Sequence, residues 1–244
     1  TRPEYTMCMA SGCLLVGASL LFHETLAPEQ RLQGIHSSFK SFDQLLTNWY
    51  FLGHCFMQCF AFAAFFAYIS GSSFVFQNIY AVSAQTYSGI FGGIGICIVL
   101  AGALPARLAG RVSDVSMLRW SLVQAFLGSL LIFGAFYCSA PLPLVILALI
   151  VTISMISIMG AASFSLAMQT QGKNAGSASA IIGFFSMISG GIMAPLVGIA
   201  GSHTAMPMAF IMVLGECGAL VFFYLMIVPF HRSQARQKLH PREA

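Results

Sequence analysis

One line of side chains in the first third of the chain combines hydrogen-bonding groups with aromatic rings. Its members follow one another at steps of three or four residues, and they are His54, Gln58, Ala61, Phe65, Tyr68 and Ser72. This spacing places them on one face of an α-helix. Such a face is unfavourable against lipid, but it suits a cavity that holds compounds with a flat apolar body and a few hydrogen-bonding groups. His54 and Gln58 could instead bond a neighbouring helix, as polar side chains in membrane bundles often do.

A single carboxylate is the second candidate for chemistry. Glu216 lies about midway along the apolar run at residues 206–230, and it is the only acidic residue well inside such a run. An unpaired carboxylate there costs roughly 3 kcal/mol, so it must pair, face water or remain protonated. A carboxyl group that takes up and releases a proton supplies the chemistry that proton exchange needs. A protonated, hydrogen-bonded structural role is the alternative.

The elements that must position these residues are long apolar segments. Six runs of roughly twenty mostly apolar residues lie at 49–70, 83–104, 119–138, 141–166, 177–200 and 206–230, and a seventh precedes them at 5–22. Each is long enough to cross about 30 Å of hydrocarbon as a helix. Hydrophobic residues make up 58% of the chain and charged residues 7%. This composition excludes a water-soluble fold and predicts an all-α integral membrane protein.

Charge is distributed unevenly between the gaps that separate the apolar runs. Alternate gaps hold nearly all the basic residues, which are Arg31, Lys40, Arg107, Arg111, Lys173 and, in the tail, Arg232, Arg236, Lys238 and Arg242. The opposite gaps, at residues 71–82, 139–140 and 201–205, contain no Lys, Arg, Asp or Glu. The positive-inside bias therefore predicts that the basic face and the C-terminus are cytoplasmic.

The same sequence argues against nucleic-acid binding, metal binding and catalysis. The basic residues lie in juxtamembrane gaps, where orientation and anionic lipid explain them better than nucleic acid does. The seven cysteines form no CxxC pair and no cluster with metal-ligand spacing. No HExxH, no paired intramembrane aspartates and no GxSxG motif with a triad is present. We therefore expect no catalytic site, no metal site, no cofactor and no nucleic-acid partner.

Three segments carry a resemblance to a known family. They are residues 68–77 with Tyr80 and Val82–Ser83, the segment Glu24-Thr25-Leu26 with Arg31, and the small-residue segment at 175–180. The first is similar to the outer end of helix seven in bicyclomycin and chloramphenicol resistance (Bcr/CflA) transporters of the major facilitator superfamily. The second resembles that family's exit from helix six, and the third its start of helix eleven.

The resemblance implies the C-terminal half of a twelve-helix, two-bundle transporter. Residues 1–22 would be the last transmembrane helix of the N-terminal half, 23–48 the cytoplasmic inter-bundle loop, 49–230 the C-terminal six-helix bundle and 231–244 a cytoplasmic tail. The chain also opens on Thr1 and enters an apolar run almost at once. We therefore expect a missing N-terminal bundle as partner.

The resemblance also implies a function and its site residues. The expected activity is efflux of drugs or other small amphipathic compounds through the cytoplasmic membrane, in exchange for protons and by alternating access. Tyr68 and Gln77 are expected to line the substrate cavity, together with the stripe described above. The loop with Arg107, Arg111 and Asp114 looks like a weak second copy of the superfamily's gating loop, which predicts a cytoplasmic gate. Positive-inside anchoring is an equally good interpretation of these residues.

Two alternatives remain open at this point. The transporter could import or export a specific metabolite, such as a sugar or nucleoside. The chain could also be a non-transporting half-chain, such as a receptor or an assembly subunit, because one bundle cannot enclose an alternating-access pathway without a partner half.

Overall fold

The computed structural model describes residues 3–21, 42–108, 110–199, 204–231 and 233, and these are helical apart from short turns. Two compact units are distinguished, at residues 1–38 and 39–244. The first contains helix α1, Pro3–Leu21, of 19 residues. The apolar run predicted at 5–22 therefore does form a helix, and its membrane-spanning role stays a prediction.

The second unit is a bundle of long helices. They are α2 (Trp49–Phe74), α3 (Ala84–Gly102), the short α4 (Leu104–Leu108), α5 (Asp114–Tyr137), α6 (Leu142–Met168), α7 (Ala175–Ile199) and α8 (Met206–Phe222). Five-residue π-helical segments continue α2 over Val75–Ile79 and α8 over Phe223–Ile227. Among the described residues, six helical spans are long and apolar enough to cross a membrane. The predicted all-α membrane fold with six such helices is confirmed.

Polar residues immediately before the first helical residue cap several of these helices. The side chains of Asn48, Ser83 and Ser113 each accept a hydrogen bond from a backbone N–H in the first turn of α2, α3 and α5. Such caps satisfy N–H groups that have no partner within the helix. Because the bilayer core offers no water to these groups, the cap residues fix where each span begins.

Two helix boundaries differ from the prediction. The run predicted to end at Ser70 continues as α-helix to Phe74 and as π-helix to Ile79, so most of the predicted gap at 71–82 is helical. The run predicted to begin at Arg119 begins at Asp114. In both cases polar residues were assigned to a gap although they form the polar end of a helix, which hydrophobicity alone does not reveal.

Part of the predicted inter-bundle loop has structure of its own. Residues 42–47 are helical and lead through Asn48 into α2. Leu45 is buried against Phe51 and Ile181, and Phe42 packs beside it. Residues 23–41 of this loop, and the tail apart from 231 and 233, lie outside the described residues.

Helix α2 lies at the centre of the bundle, where it contacts α6, α7 and α8. Glycines allow close approach along the α2–α8 pair. A Cβ atom at Gly215 would lie 2.7 Å from the carbonyl oxygen of Phe60, and one at Gly71 would lie 2.7 Å from Sδ of Met208. Small residues permit such contact between backbones, which stabilises membrane helix pairs through dispersion. Gly128 of α5 meets Thr152 of α6 in the same way.

The small residues of α7 behave differently. Gly190 lies against the ring of Phe66 on α2, but Gly198 has open space around it and Ala194 is exposed. Pro195 lies within α7, which continues to Ile199. Only one of these three small residues therefore packs within the described bundle.

Candidate functional site

The predicted stripe on α2 faces the interior of the described bundle. His54 and Ser72 are 0% exposed, Tyr68 is 2% and Gln58 is 7%, while Phe65 is half-buried. Cavities of about 290 to 490 Å³ between described residues are lined by other side chains. Lining of a substrate cavity by these side chains therefore stays a prediction.

A cluster of aromatic and hydroxyl groups joins α2 to α3. The rings of Tyr68 and Phe91 are stacked, with centroids 5.8 Å apart and planes 10° from parallel. The hydroxyls of Ser72 and Tyr87 are 3.0 Å apart and share a hydrogen bond. Phe65 lies against Tyr68 at 6.5 Å between centroids. We call these five residues the aromatic cluster.

The aromatic cluster is buried on the α2 side and open on the α3 side. Phe91 is 38% exposed and Tyr87 is half-buried. On α3, a Cβ atom at Gly89 or Gly92 would meet nothing within 4 Å. An exposed ring can stack on a flat apolar group, and the two hydroxyls supply hydrogen-bonding capacity nearby.

A second polar group lies near the other end of α2. His54 Nδ1 and Ser163 Oγ of α6 are 2.9 Å apart, so His54 bonds a neighbouring helix, and its lining of a substrate cavity stays a prediction. The ring of Tyr50 contacts His54 edge-on at 4.8 Å and stacks on Phe230 at 4.1 Å. The hydroxyl of Tyr50 lies 3.0 Å from Nε2 of His231. These bonds link α2, α6 and the end of the last span.

Gln77 lies apart from the rest of the predicted cavity set. It belongs to the π-helical segment that continues α2, and its Nε2 donates to Ser73 Oγ at 2.8 Å. Its side chain is half-buried. The structure therefore separates Gln77 at one end from His54 towards the other, with the aromatic cluster between them along the helix.

Glu216 is 3% exposed and lies on the inner face of α8. Its neighbours on that face, Met212, Ala219 and Phe223, are all fully buried in the apolar interior. Its Oε2 atom has no hydrogen-bond partner within the described part of the chain. The adjacent Gly215 sits directly on the backbone of α2. The carboxyl group is thus buried in the apolar interior, one residue after the point where α8 touches α2.

The three predicted gate residues take different positions. Arg107 lies in α4 and Arg111 in the turn that follows, and both side chains are exposed. Asp114 instead bonds to α6: its Oδ2 accepts hydrogen bonds from Ser165 at 2.8 Å and from Gln169 at 3.4 Å. The carboxylate thus ties the start of α5 to the end of α6, and the gate role stays a prediction.

Sequence reasoning missed several members of these groups. Tyr87 and Phe91 are four residues apart on α3, a spacing that brings them onto one face, so periodicity could have found them. Ser163 carries no such signal, because an isolated serine in an apolar helix matches many roles. Across the described residues, no group of three His, Cys, Asp or Glu side chains is arranged to hold a metal ion.

Comparisons with known proteins agree with this architecture. Residues 4–195 match the family model of the Major Facilitator Superfamily, and the chain therefore belongs to that superfamily. The chain is 35% identical over 224 residues to an uncharacterized MFS-type transporter, YdgK, of Bacillus subtilis; the match covers 91% of this chain and 56% of that protein. It is 28% identical over 178 residues to a bicyclomycin resistance protein homolog of Haemophilus influenzae, over 71% of this chain and 44% of that protein.

Two consequences follow from these comparisons. The chain spans about half the length of the curated relatives it matches. The superfamily consists of transporters, so the chain is a multi-pass membrane protein of a transporter family and not an enzyme.

Proposed function

We propose that the chain forms the C-terminal bundle of a Bcr/CflA-like exporter, which expels drugs or other small amphipathic compounds in exchange for protons. The aromatic cluster of α2 and α3 carries this proposal. It combines stacked rings, two bonded hydroxyls and an exposed ring on α3, which is the chemistry that a flat, partly polar compound needs. The name of the Haemophilus relative, a bicyclomycin resistance protein homolog, supports efflux.

The proposed activity belongs to this chain together with an N-terminal bundle. Alternating access requires two bundles that rock around a site between them. The relatives are about twice as long as the matched region, which supports a partner half. In this arrangement α1 is the last helix of the N-terminal bundle, and the basic end with Arg107 and Arg111 faces the cytoplasm as part of a gate.

Glu216 is the proposed proton site within this bundle. The burial of its carboxyl group and the unpartnered Oε2 atom support this role. A buried polar atom without a partner calls for an explanation, and a proton or a water molecule that reaches it during the transport cycle is one. The contact of the preceding residue, Gly215, with the helix that carries the predicted substrate stripe also supports this role.

Drug accumulation in cells that lack their own exporters tests the proposal. Three forms are compared: the chain alone, the chain with a matching N-terminal half, and the paired form with Tyr68→Ala, each with and without a protonophore. Tyr137→Ala is the matched control, because Tyr137 is 77% exposed at the end of α5, far along the chain from the cluster. We expect gradient-dependent export only by the paired form. Tyr68→Ala should weaken this export by about two- to twelvefold, since one stacking contact contributes about 0.5–1.5 kcal/mol beyond the buried area.

The opposite outcomes are equally informative. If a well-expressed and correctly inserted pair exports nothing from a broad compound panel, the drug-exporter proposal fails. A transporter of a specific metabolite or a non-transporting role then explains the chain better. Equal loss of export with Tyr68→Ala and Tyr137→Ala would reject the aromatic cluster as the site while leaving the efflux proposal standing.

A further inference from the structure

A pocket at one end of the bundle shares no residue with the aromatic cluster. It has a volume of about 340 Å³ and lies where the π-helical segment of α2 ends, beside the turn between α5 and α6 and the start of α8. The sequence gaps at these three places contain no Lys, Arg, Asp or Glu. The residues of its wall that matter here are Tyr80, Phe136, Ser139, Thr204 and Met206.

Hydroxyl groups give this pocket both donors and acceptors. Tyr80 donates its hydroxyl hydrogen to the carbonyl oxygen of Ala140 at 2.9 Å, so its oxygen can still accept a hydrogen bond. Oγ1 of Thr204 accepts from the backbone N–H of Met206 at 3.2 Å, so its own O–H can still donate. The exposed hydroxyl of Ser139 can do both. Most of the accessible wall is polar, whereas the grooves beside α5 and α7 are almost entirely apolar.

Two aromatic rings supply the apolar part of the wall. The rings belong to Tyr80 and Phe136, which are both half-buried. A ring compound that carries hydroxyl groups has apolar C–H faces and a polar edge, and rings beside hydroxyls match both. A charged compound would lose its hydration here without meeting an opposite charge among the lining residues. The wall therefore favours an uncharged ligand.

The backbone at this pocket is strained at two positions. Ser139, in the wall, has φ 49°, and Ala81, which follows Tyr80, has φ 52°. Within the described part of the chain, no other residue apart from glycine has a positive φ. This left-handed conformation is costly for a residue with a Cβ atom, and such positions cluster at binding and active sites. Both strained residues lie at one pocket, which supports a binding role for it.

We propose that this pocket binds an uncharged ring compound that carries hydroxyl groups and is about the size of a hexose. The hydroxyls of Ser139 and Thr204 bond to hydroxyls of the ligand, and the oxygen of Tyr80 accepts a further hydrogen bond. The ring of Phe136 covers an apolar face of the ligand. The pocket volume is near the lower end of the range for ligand sites, which suits a single ring. The proposal does not rest on drug export, because the pocket and the proposed transport site share no residue.

Saturation-transfer difference NMR tests this proposal, because it detects weak ligands in rapid exchange. The full chain is reconstituted in phosphatidylcholine nanodiscs and titrated with methyl α-D-glucopyranoside as the probe. Glucose 6-phosphate has the same ring with added charge and is the ligand control. Ser139→Gly removes a hydroxyl and suits the left-handed backbone, and Thr204→Val removes a hydroxyl with little change of shape. Thr47→Val is the matched protein control, because Thr47 is exposed and lies before the start of α2, at the opposite end of that helix from Tyr80.

We expect a saturable signal from the glucoside and none from glucose 6-phosphate. Ser139→Gly and Thr204→Val should each weaken glucoside binding by about two- to twelvefold, the range for loss of one hydrogen bond. Thr204→Ser, which keeps the hydroxyl, should retain binding, and Thr47→Val should leave it unchanged. Circular dichroism checks that every variant keeps its helical content.

Three results would overturn the proposal. A glucoside signal that does not saturate would show that the pocket has no site for such a ring. Equal saturable signals from the glucoside and glucose 6-phosphate would show that the site does not select an uncharged ligand. Binding that survives both Ser139→Gly and Thr204→Val, or that falls equally with Thr47→Val, would place the ligand elsewhere on the protein.

Discussion

Replacing Gly215 by alanine would place a methyl group against the backbone of α2. An ideal Cβ at this position lies 2.7 Å from the carbonyl oxygen of Phe60 and 2.9 Å from the backbone nitrogen of Ala64. Observed Cβ contacts are essentially never shorter than 3.0 Å. Both neighbours are backbone atoms, so no side chain can rotate away. The two helices must therefore separate by a few tenths of an ångström.

The expected loss of stability follows from two opposing effects. An extra carbon in a well-packed interior typically costs about 1–3 kcal/mol, because the surroundings shift and lose dispersion contacts. Alanine also favours the helix over glycine by about 0.5–1 kcal/mol. We therefore expect Gly215→Ala to lower the free energy of unfolding by about 1 kcal/mol, within a range of about 0–2.5 kcal/mol.

Circular dichroism measures this change. The reconstituted chain is unfolded in mixed micelles by titration with a denaturing detergent. Gly191→Ala is the matched control, since a Cβ at Gly191 of α7 meets nothing within 4 Å. The control should be unchanged or slightly more stable, by up to about 1 kcal/mol from helix propensity. If Gly215→Ala is as stable as Gly191→Ala, the close α2–α8 approach does not exist as described and the argument from it is wrong.

Two further predictions concern polar contacts between helices. A double-mutant cycle with His54→Ala and Ser163→Ala should give a coupling energy of about 0.6 kcal/mol, the usual size for hydrogen bonds between membrane helices. If unfolding measurements show that the two substitutions lower stability additively, the bond is contradicted. Asp114→Ala should lower the free energy of unfolding by about 1 kcal/mol through loss of the bonds to α6. Asp114→Asn should retain part of this stability, because its amide oxygen can accept the bond from Ser165. Equal destabilisation by the two Asp114 variants in the same assay would argue against the α5–α6 link.

The number of spans could be predicted from the sequence because it depends on length and hydrophobicity alone. The ends of the spans could not. Ser72 and Ser73 look like loop residues, yet α2 continues through them because Ser72 finds the hydroxyl of Tyr87 on the next helix. Ser116 likewise lies inside α5, since Ser113 caps that helix before it. A tertiary partner or a cap decides these boundaries, and hydropathy contains neither.

The stripe on α2 shows that tertiary partners are equally hard to predict for the candidate site. Periodicity correctly placed His54, Tyr68 and Ser72 on one face, and all three are buried. Their partners come from α6 and α3, at separations of 109 residues for Ser163 and 15 for Tyr87. A single sequence predicts which residues share a helix face, but the helices that cover this face depend on the packing of the whole bundle.

The glycines are a related case, because some pack tightly against another helix and others make no contact. Gly215 lies in tight contact with another backbone, while Gly92 of α3 has open space around it. Both occur in apolar helices and look alike in the sequence. The packed glycines mark the α2–α8 pair as closely joined, whereas the open glycines mark a side of the bundle without contacts among the described residues.

The position of Glu216 beside a packed glycine allows its charge and its location to be tested separately. Glu216→Gln keeps the size of the side chain and removes only its ability to ionise. Gly215→Ala keeps the carboxyl group and shifts α8 by a few tenths of an ångström. If Glu216 is the proton site, export by the paired form should lose its dependence on the proton gradient with Glu216→Gln, while Gly215→Ala should lower stability and retain that dependence. Export measured with and without a protonophore distinguishes the two variants. Gradient-dependent export that persists in Glu216→Gln would leave the carboxyl group a structural role between α8 and its neighbours, and the proton site would then lie elsewhere in the transporter.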